Sequence, residues 1–119
     1  MTKQQIFNKV ARHLLKQNEQ AMVGTMCQYR APGGLKCAIG ALIPDAKYKQ
    51  EFEGSVVGIL DEPESIAVRK AAGLKANQIA LGKALQDVHD ESDPANWIEQ
   101  LMRVQKKFGL TWPRGLARK

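Results

Sequence analysis

The tetrad Ala31-Pro32-Gly33-Gly34 restricts this chain more than any other feature, because it forces a reversal in a sequence whose apolar residues otherwise recur at helical spacing. Proline presets its own φ for a turn and glycine accepts positive φ, so together they specify a tight change of direction. Upstream, Val23, Thr25 and Tyr29 alternate with other residues as a half-buried strand over Met22 to Tyr29 would. If Leu35 to Leu42 is the returning strand, Cys27 and Cys37 come close together across a hairpin, and a one-residue slip of register puts them on opposite faces. The competing reading makes Lys36 to Leu42 a short helix with Cys37, Ala38, Ala41 and Leu42 on one face. A cysteine in the first turn of a helix meets the positive end of the macrodipole and gains thiolate character, whereas a mid-strand cysteine does not.

The flanks are helical. Thr2 and Gln5 have capping-box spacing ahead of a paired stripe of Ile6, Phe7, Val10, Ala11, Leu14 and Leu15, which predicts a helix over residues 3–18. His13 lies beside that stripe and is read as packing its ring at the helix edge. Asp45 can cap a short turn. Ser55 can cap Val56-Val57-Gly58-Ile59-Leu60, a run that suits a strand or a helical turn equally. Asp61-Glu62-Pro63-Glu64 starts a helix that Gly73 closes. Asn77 is placed to cap a helix reaching about Glu91, with Leu81, Ala84, Leu85 and Val88 inward, and Asp93-Pro94 opens a last helix whose inner face is Trp97, Leu101, Val104 and Phe108 before Gly109. The predicted fold is α+β, mainly α: about four helices packed with one short β-hairpin. Residues 1–110 form a single globular domain and 111–119 a basic C-terminal tail. A chain of 119 residues can bury such a core without disulfides or metal.

With 18 Lys and Arg against 12 Asp and Glu, the chain carries a formal charge of +6, which favours an acidic protein, a nucleotide or nucleic acid as partner. Asp87, Asp90, Glu91 and Asp93 form a local acidic patch. No apolar run approaches the roughly 18 residues of a membrane span, and Met1-Thr2-Lys3 leads into a helical pattern rather than a signal segment. The expectation is a cytoplasmic protein with no membrane contact, its two cysteines kept as thiols.

Three chemistries compete for the polar residues. Cys37 with His89 as base and Asp90, or Asp87, as orienter would be a nucleophilic constellation. Cys27, Cys37, His13 and His89 nominally make a zinc set, but nine residues separate the cysteines where structural sites use short knuckles, so neither a metal nor a cofactor is predicted. Arg30, Gly33, Gly34 and Lys36 could hold a phosphate with two cations and turn amides, although no Walker or dinucleotide fingerprint accompanies them. Trp97 belongs to the core. Trp112, beside Pro113 and the basic tail that includes Arg114, is freer to meet a partner or a base, although packing the tail onto the domain is the more ordinary use of such a residue.

The run Cys27-x-Tyr29-Arg30, Gly34-x-Lys36-Cys37-Ala38-Ile39-Gly40 and Leu42-Ile43-Pro44-Asp45-x-x-Tyr48, with Leu85-Gln86-x-Val88-His89-Asp90 and Trp97, resembles a family of small proteins of tailed bacteriophages and prophages. Family members carry an aspartate or asparagine at Gly33 and a glycine at Ala31. The resemblance implies expression in the cytoplasm of a bacterial host and no particular mechanism. The function expected from it and from the charge is a phage accessory binding protein. It would engage a host factor, with countering host defence as one use, through a basic surface containing Arg30, Gly33, Gly34, Lys36, Trp112 and Arg114. Its partner would be a host protein or phosphorylated ligand, with nucleic acid and self-association also compatible. The alternative is a small cysteine-dependent enzyme using Cys37 and His89.

Overall fold

The computed structural model describes residues 1–24, 26–54 and 65–117. Helix α1, Lys3–Gln17, begins at a closed capping box: the Thr2 hydroxyl accepts from the Gln5 N–H at 3.1 Å and the Thr2 N–H donates to Gln5 Oε1 at 2.8 Å. Ile6, Phe7, Val10, Ala11 and Leu14 on its inner face are fully buried. Asn18 ends it in the left-handed region at φ 54°.

The single hairpin expected between Met22 and Leu42 is two. Gly24, at φ 63°, reverses the chain early, so β1 (Met22–Val23) pairs antiparallel with β2 (Met26–Cys27) and sets Met22 opposite Cys27. The predicted reversal at Pro32-Gly33-Gly34 then makes a second ribbon, β3 (Arg30–Ala31) with β4 (Leu35–Lys36), around glycines at φ 82° and 78°. Cys27 and Cys37 are therefore not cross-strand neighbours. The segment after β4 is helical, as the competing reading required: α2 is Ala38–Leu42, with Cys37 as its N-cap.

Two-residue strands supply few backbone bonds of their own, and side chains from elsewhere complete both strands of the second ribbon. Gln17 behaves as a surrogate strand on β4, its Oε1 accepting from Lys36 N–H at 2.8 Å and its Nε2 donating to Lys36 O at 2.9 Å. Glu53 does the same for β3 with one carboxylate, accepting from Tyr29 N–H at 2.9 Å and Arg30 N–H at 3.0 Å.

Helix α3 (Ile66–Ala72) closes at Gly73, α4 spans Ile79–Glu91 after a 3-10 turn at Ala76–Gln78, and α5 spans Trp97–Lys107 after another at Pro94–Asn96. The helix expected to be capped by Asn77 thus begins one residue later, with Gln78 in the cap position. The readings made for 55–64 fall outside the described residues. α1 packs on α2, α4 and α5, while α2 packs on α3 and α4, giving one core that contains Trp97, Tyr29, Phe7, Ile39, Leu85 and Leu101. The architecture is α+β and mainly α. Among the described residues no helix is long and apolar enough to cross a membrane.

Residues 111–117 lie back on α1. Gln4 holds both backbone groups of Thr111 at 2.9 Å, Pro113 is buried, and Trp112 meets Phe7 edge to face with centroids 6.1 Å apart. The Trp112 indole donates to Leu116 O at 3.0 Å, and Arg12 donates to Arg114 O at 2.9 Å.

Two backbone segments come very close at Gly40 of α2, where an added Cβ would lie 2.0 Å from Tyr29 O. Gly40→Ala is expected to lower the unfolding free energy by about 3 kcal/mol, because the obstacle is a backbone carbonyl that cannot swing aside. Chemical denaturation of the two proteins measures it, and a Gly40→Ala variant as stable as the parent would contradict the packing.

Candidate functional site

Helix α4 has two adjacent inward stripes, one of Leu81, Leu85 and Val88 and one of Gly82, Gln86 and His89, all buried. The second stripe carries polar groups into the core, and their hydrogen bonds form one connected chain. Gln86 Oε1 accepts from the Ile39 N–H in the first turn of α2 at 3.0 Å, and Gln86 Nε2 donates to Asp90 Oδ1 at 2.8 Å. His89 Nδ1 lies 2.7 Å from the same oxygen, and the Ala21 N–H donates to His89 Nε2 at 2.9 Å. The Cys27 thiol lies beside the same carboxylate, its sulfur within 4.8 Å of an Asp90 oxygen. Trp97 stacks on the His89 ring with centroids 5.8 Å apart, and Gln20 donates to His89 O at 2.8 Å.

The direction of each bond fixes the proton positions. A backbone N–H can only donate, so His89 Nε2 accepts and Nδ1 carries the hydrogen that points at Asp90. A His–Asp pair of this geometry is the rear half of a nucleophile-activating unit, but such a unit needs a free Nε2 lone pair facing the nucleophile. Here Ala21 occupies it. The structure brings His89 and Asp90 together as their adjacency in the chain suggested, and it withholds the His89 lone pair from Cys37.

Each thiol is held in its protonated form. Burial pushes Cys37 up to about 12, more than the Gly40 N–H, donating to its Sγ at 3.3 Å, can offset. Cys27 is also pushed up to about 12, first by burial and then by its bond to Asp90. Neither has the electropositive surroundings of a reactive cysteine.

Cys27, His89 and Asp90 each present one potential metal-ligand atom within 4.8 Å of the others. This trio differs from the four-residue set suggested by composition. His13 is elsewhere, its Nε2 donating to Lys36 O at 2.9 Å. The trio is a poor metal site for the reason that it is a poor base: ligation through Nδ1 would move the hydrogen to Nε2, where it would oppose the Ala21 N–H.

The predicted ligand-binding residues divide. Arg30 is engaged internally, with Nη2 2.7 Å from Asp45 Oδ1 and 3.2 Å from Ile43 O, and with its guanidinium 4.3 Å above the Tyr48 ring. Trp112 and Arg114 belong to the segment packed on α1. Gly33 and Gly34 are exposed, and Gly34 and Lys36 line an open cleft of about 430 Å³ together with His13, Lys16, Gln17 and Leu35. Among the described residues, no acidic one lines it. Lys36 is 3.9 Å from Asp45, a carboxylate that is 85% exposed. His13, weighed in the sequence only as a helix-edge residue or a metal ligand, and Lys16 were not assigned to anion binding there, because the contact pairs α1 with a turn about twenty residues away. Comparison with protein-family models, curated proteins and solved structures found no match to the chain.

Two outcomes follow from these environments. At pH 7.5 the thiolate fraction of either cysteine should be about a thousandfold below that of a thiol with the ordinary value of 9.0, so iodoacetamide should leave both unmodified while it consumes free cysteine. Rapid alkylation of Cys37 in the folded protein would restore the nucleophile. The second outcome concerns acid. Burial lowers His13 below 6.5, so the unfolded chain takes up its proton first as pH falls, and stability is lost from about pH 6.5 down to the folded value. Burial alone would raise Asp90, but the bonds from His89, Cys27 and Gln86 outweigh it and hold it below 3.8, so its contribution is present above that pH and lost as pH falls through the folded value. Denaturation midpoints from pH 8 to 3 should show both phases, with His13→Gln removing the upper one.

Proposed function

We propose that the chain is a non-enzymatic binding protein, of the phage accessory kind that its central run resembles, and that it takes an anionic group of a host partner into the cleft between α1 and the Pro32–Lys36 turn. The observation that carries this reading is that Lys16, Lys36 and His13 line an open cleft with no acidic residue among its described walls, beside glycines whose backbone is exposed. Two lysines lining one depression, one of them only loosely paired with the exposed Asp45, favour a carboxylate cluster or a phosphate, and the net charge of +6 speeds the encounter. The closed hydrogen bonding of His89 and the protonated thiols weigh against the cysteine-enzyme alternative. Countering host defence is a use to which such binding could be put in a phage-infected cell.

The test is retention of proteins and small ligands from a bacterial lysate on the immobilised chain. Lys36→Glu should release a specifically retained partner, with affinity reduced about tenfold or more, and Cys37→Ser should retain it if the fold is intact by circular dichroism. Loss with Cys37→Ser and retention with Lys36→Glu would reverse the assignment in favour of thiol chemistry.

A further inference from the structure

Helix α5 is apolar on more than its core face. Trp97, Leu101 and Val104 are buried, while Ile98 and Met102 form a second, half-buried stripe one turn apart, with exposed Ala95 preceding it. This stripe floors two adjoining depressions of about 520 and 610 Å³ that share Ala95 and Ile98. The first is bounded by Arg12, Leu15 and Lys16 of α1, and the second by Glu99. The groove therefore has an apolar floor centred on Ile98, cations on its α1 side and a carboxylate on the other.

That charge pattern is self-complementary. A two-fold axis normal to the groove at Ile98 exchanges its two sides, placing Arg12 and Lys16 of one copy against Glu99 of the other and the two α5 stripes against each other. The charges have room to make this exchange. Glu99 and its neighbour Arg103 form a loose 3.4 Å pair with side chains 65% and 70% exposed, and an exposed pair of this type holds its members weakly. Ala95, with only a methyl group, allows close approach of the second helix at the N-terminal end of the stripe. A foreign acidic helix would satisfy the cationic side but would leave Glu99 facing like charge, so the pattern favours a second copy of this chain.

We infer that the α1–α5 groove is an isologous dimer interface, with Ile98 and Met102 at its centre and Lys16–Glu99 pairs repeated on both sides. Lys16 borders both surfaces, but Ala95, Ile98 and Glu99 lie outside the anion cleft, and Lys36 and the Pro32–Lys36 turn lie outside the groove. Variants at those positions therefore separate failure of the dimer from failure of the anion-binding proposal.

Sedimentation velocity on the full chain from about 1 to about 200 µM measures it, a range that brackets the dissociation constants of weak self-association. The parent should move from monomer to dimer across that range. Ile98→Asp should remain monomeric, as should Ala95→Arg, a change at an exposed position that guards against misfolding of the first variant. Lys16→Glu and Glu99→Lys should each raise the dimer Kd about tenfold, since each change is felt twice across the axis, and the double exchange should restore it. A parent that is monomeric at the top of the range overturns the inference, as does a folded Ala95→Arg variant that dimerises like the parent. Failure of the double exchange to recover affinity overturns the two-fold arrangement.

Discussion

The polar chain from Ile39 through Gln86, Asp90 and His89 to Ala21 is the constraint on which the rest of the structure depends, because it joins three parts of the fold that apolar packing alone would leave free to slide. Gln86 and His89 are fully buried, so each of their polar atoms needs a partner inside the protein. They obtain those partners from the start of α2 and from the residue ahead of the first hairpin. Leaving one such group unpaired costs about 1–3 kcal/mol, a large fraction of a domain's stability, so the network selects one placement of α2 and the hairpin against α4. Trp97 stacked on His89 extends the restraint to α5.

The same demand for partners explains how two ribbons of two-residue strands persist. Gln17 and Glu53 reach across the sequence to complete β4 and β3, and the Tyr48 hydroxyl donates to Glu53 in turn. Arg30, stacked on Tyr48 and bonded to Asp45, is drawn into this framework. Lys36 lines the cleft with its backbone held at both ends by Gln17, and its ammonium group lies 3.9 Å from the exposed Asp45. The two cations that flank one turn thus share Asp45 unequally, Arg30 at 2.7 Å and Lys36 at 3.9 Å.

Periodic patterns were legible in the sequence where a helix buries one uniform face. α1 follows the capping box and paired stripe from Thr2 to Gln17, and α5 follows Trp97, Leu101 and Val104. The first hairpin was hidden because Gly24 is flanked by residues that also suit a continuing strand, so the stronger turn signal at Pro32-Gly33-Gly34 took the whole reversal. Pairing of His89 with Asp90 was visible as adjacency, but its meaning was not. That meaning lies in Ala21, a backbone donor 68 residues away, which no side-chain pattern can announce. Gln86 did leave a trace: it stands three residues before His89 and four before Asp90, the helical spacing at which one polar side chain can join a network with both.

Closing the interior has a consequence for where chemistry can occur. A histidine with both ring nitrogens bonded, and thiols raised by burial, offer neither a base nor a nucleophile without a rearrangement that would leave the Ala21 N–H unpaired. The strengths of the polar core as a fastening are therefore its weaknesses as a catalytic site. By contrast, the ionic groups of Lys36 and Glu99 are held only by loose pairs with the exposed Asp45 and Arg103, so a ligand meeting them exchanges a weak surface pair rather than a buried bond. Preorganisation of that kind lowers the ordering cost of association without contributing a reactive group. It favours the proposed recognition at the surface, because the buried network fixes α2, α4 and the first hairpin relative to one another while Gln17 and His13 tie α1 to the second ribbon at Lys36.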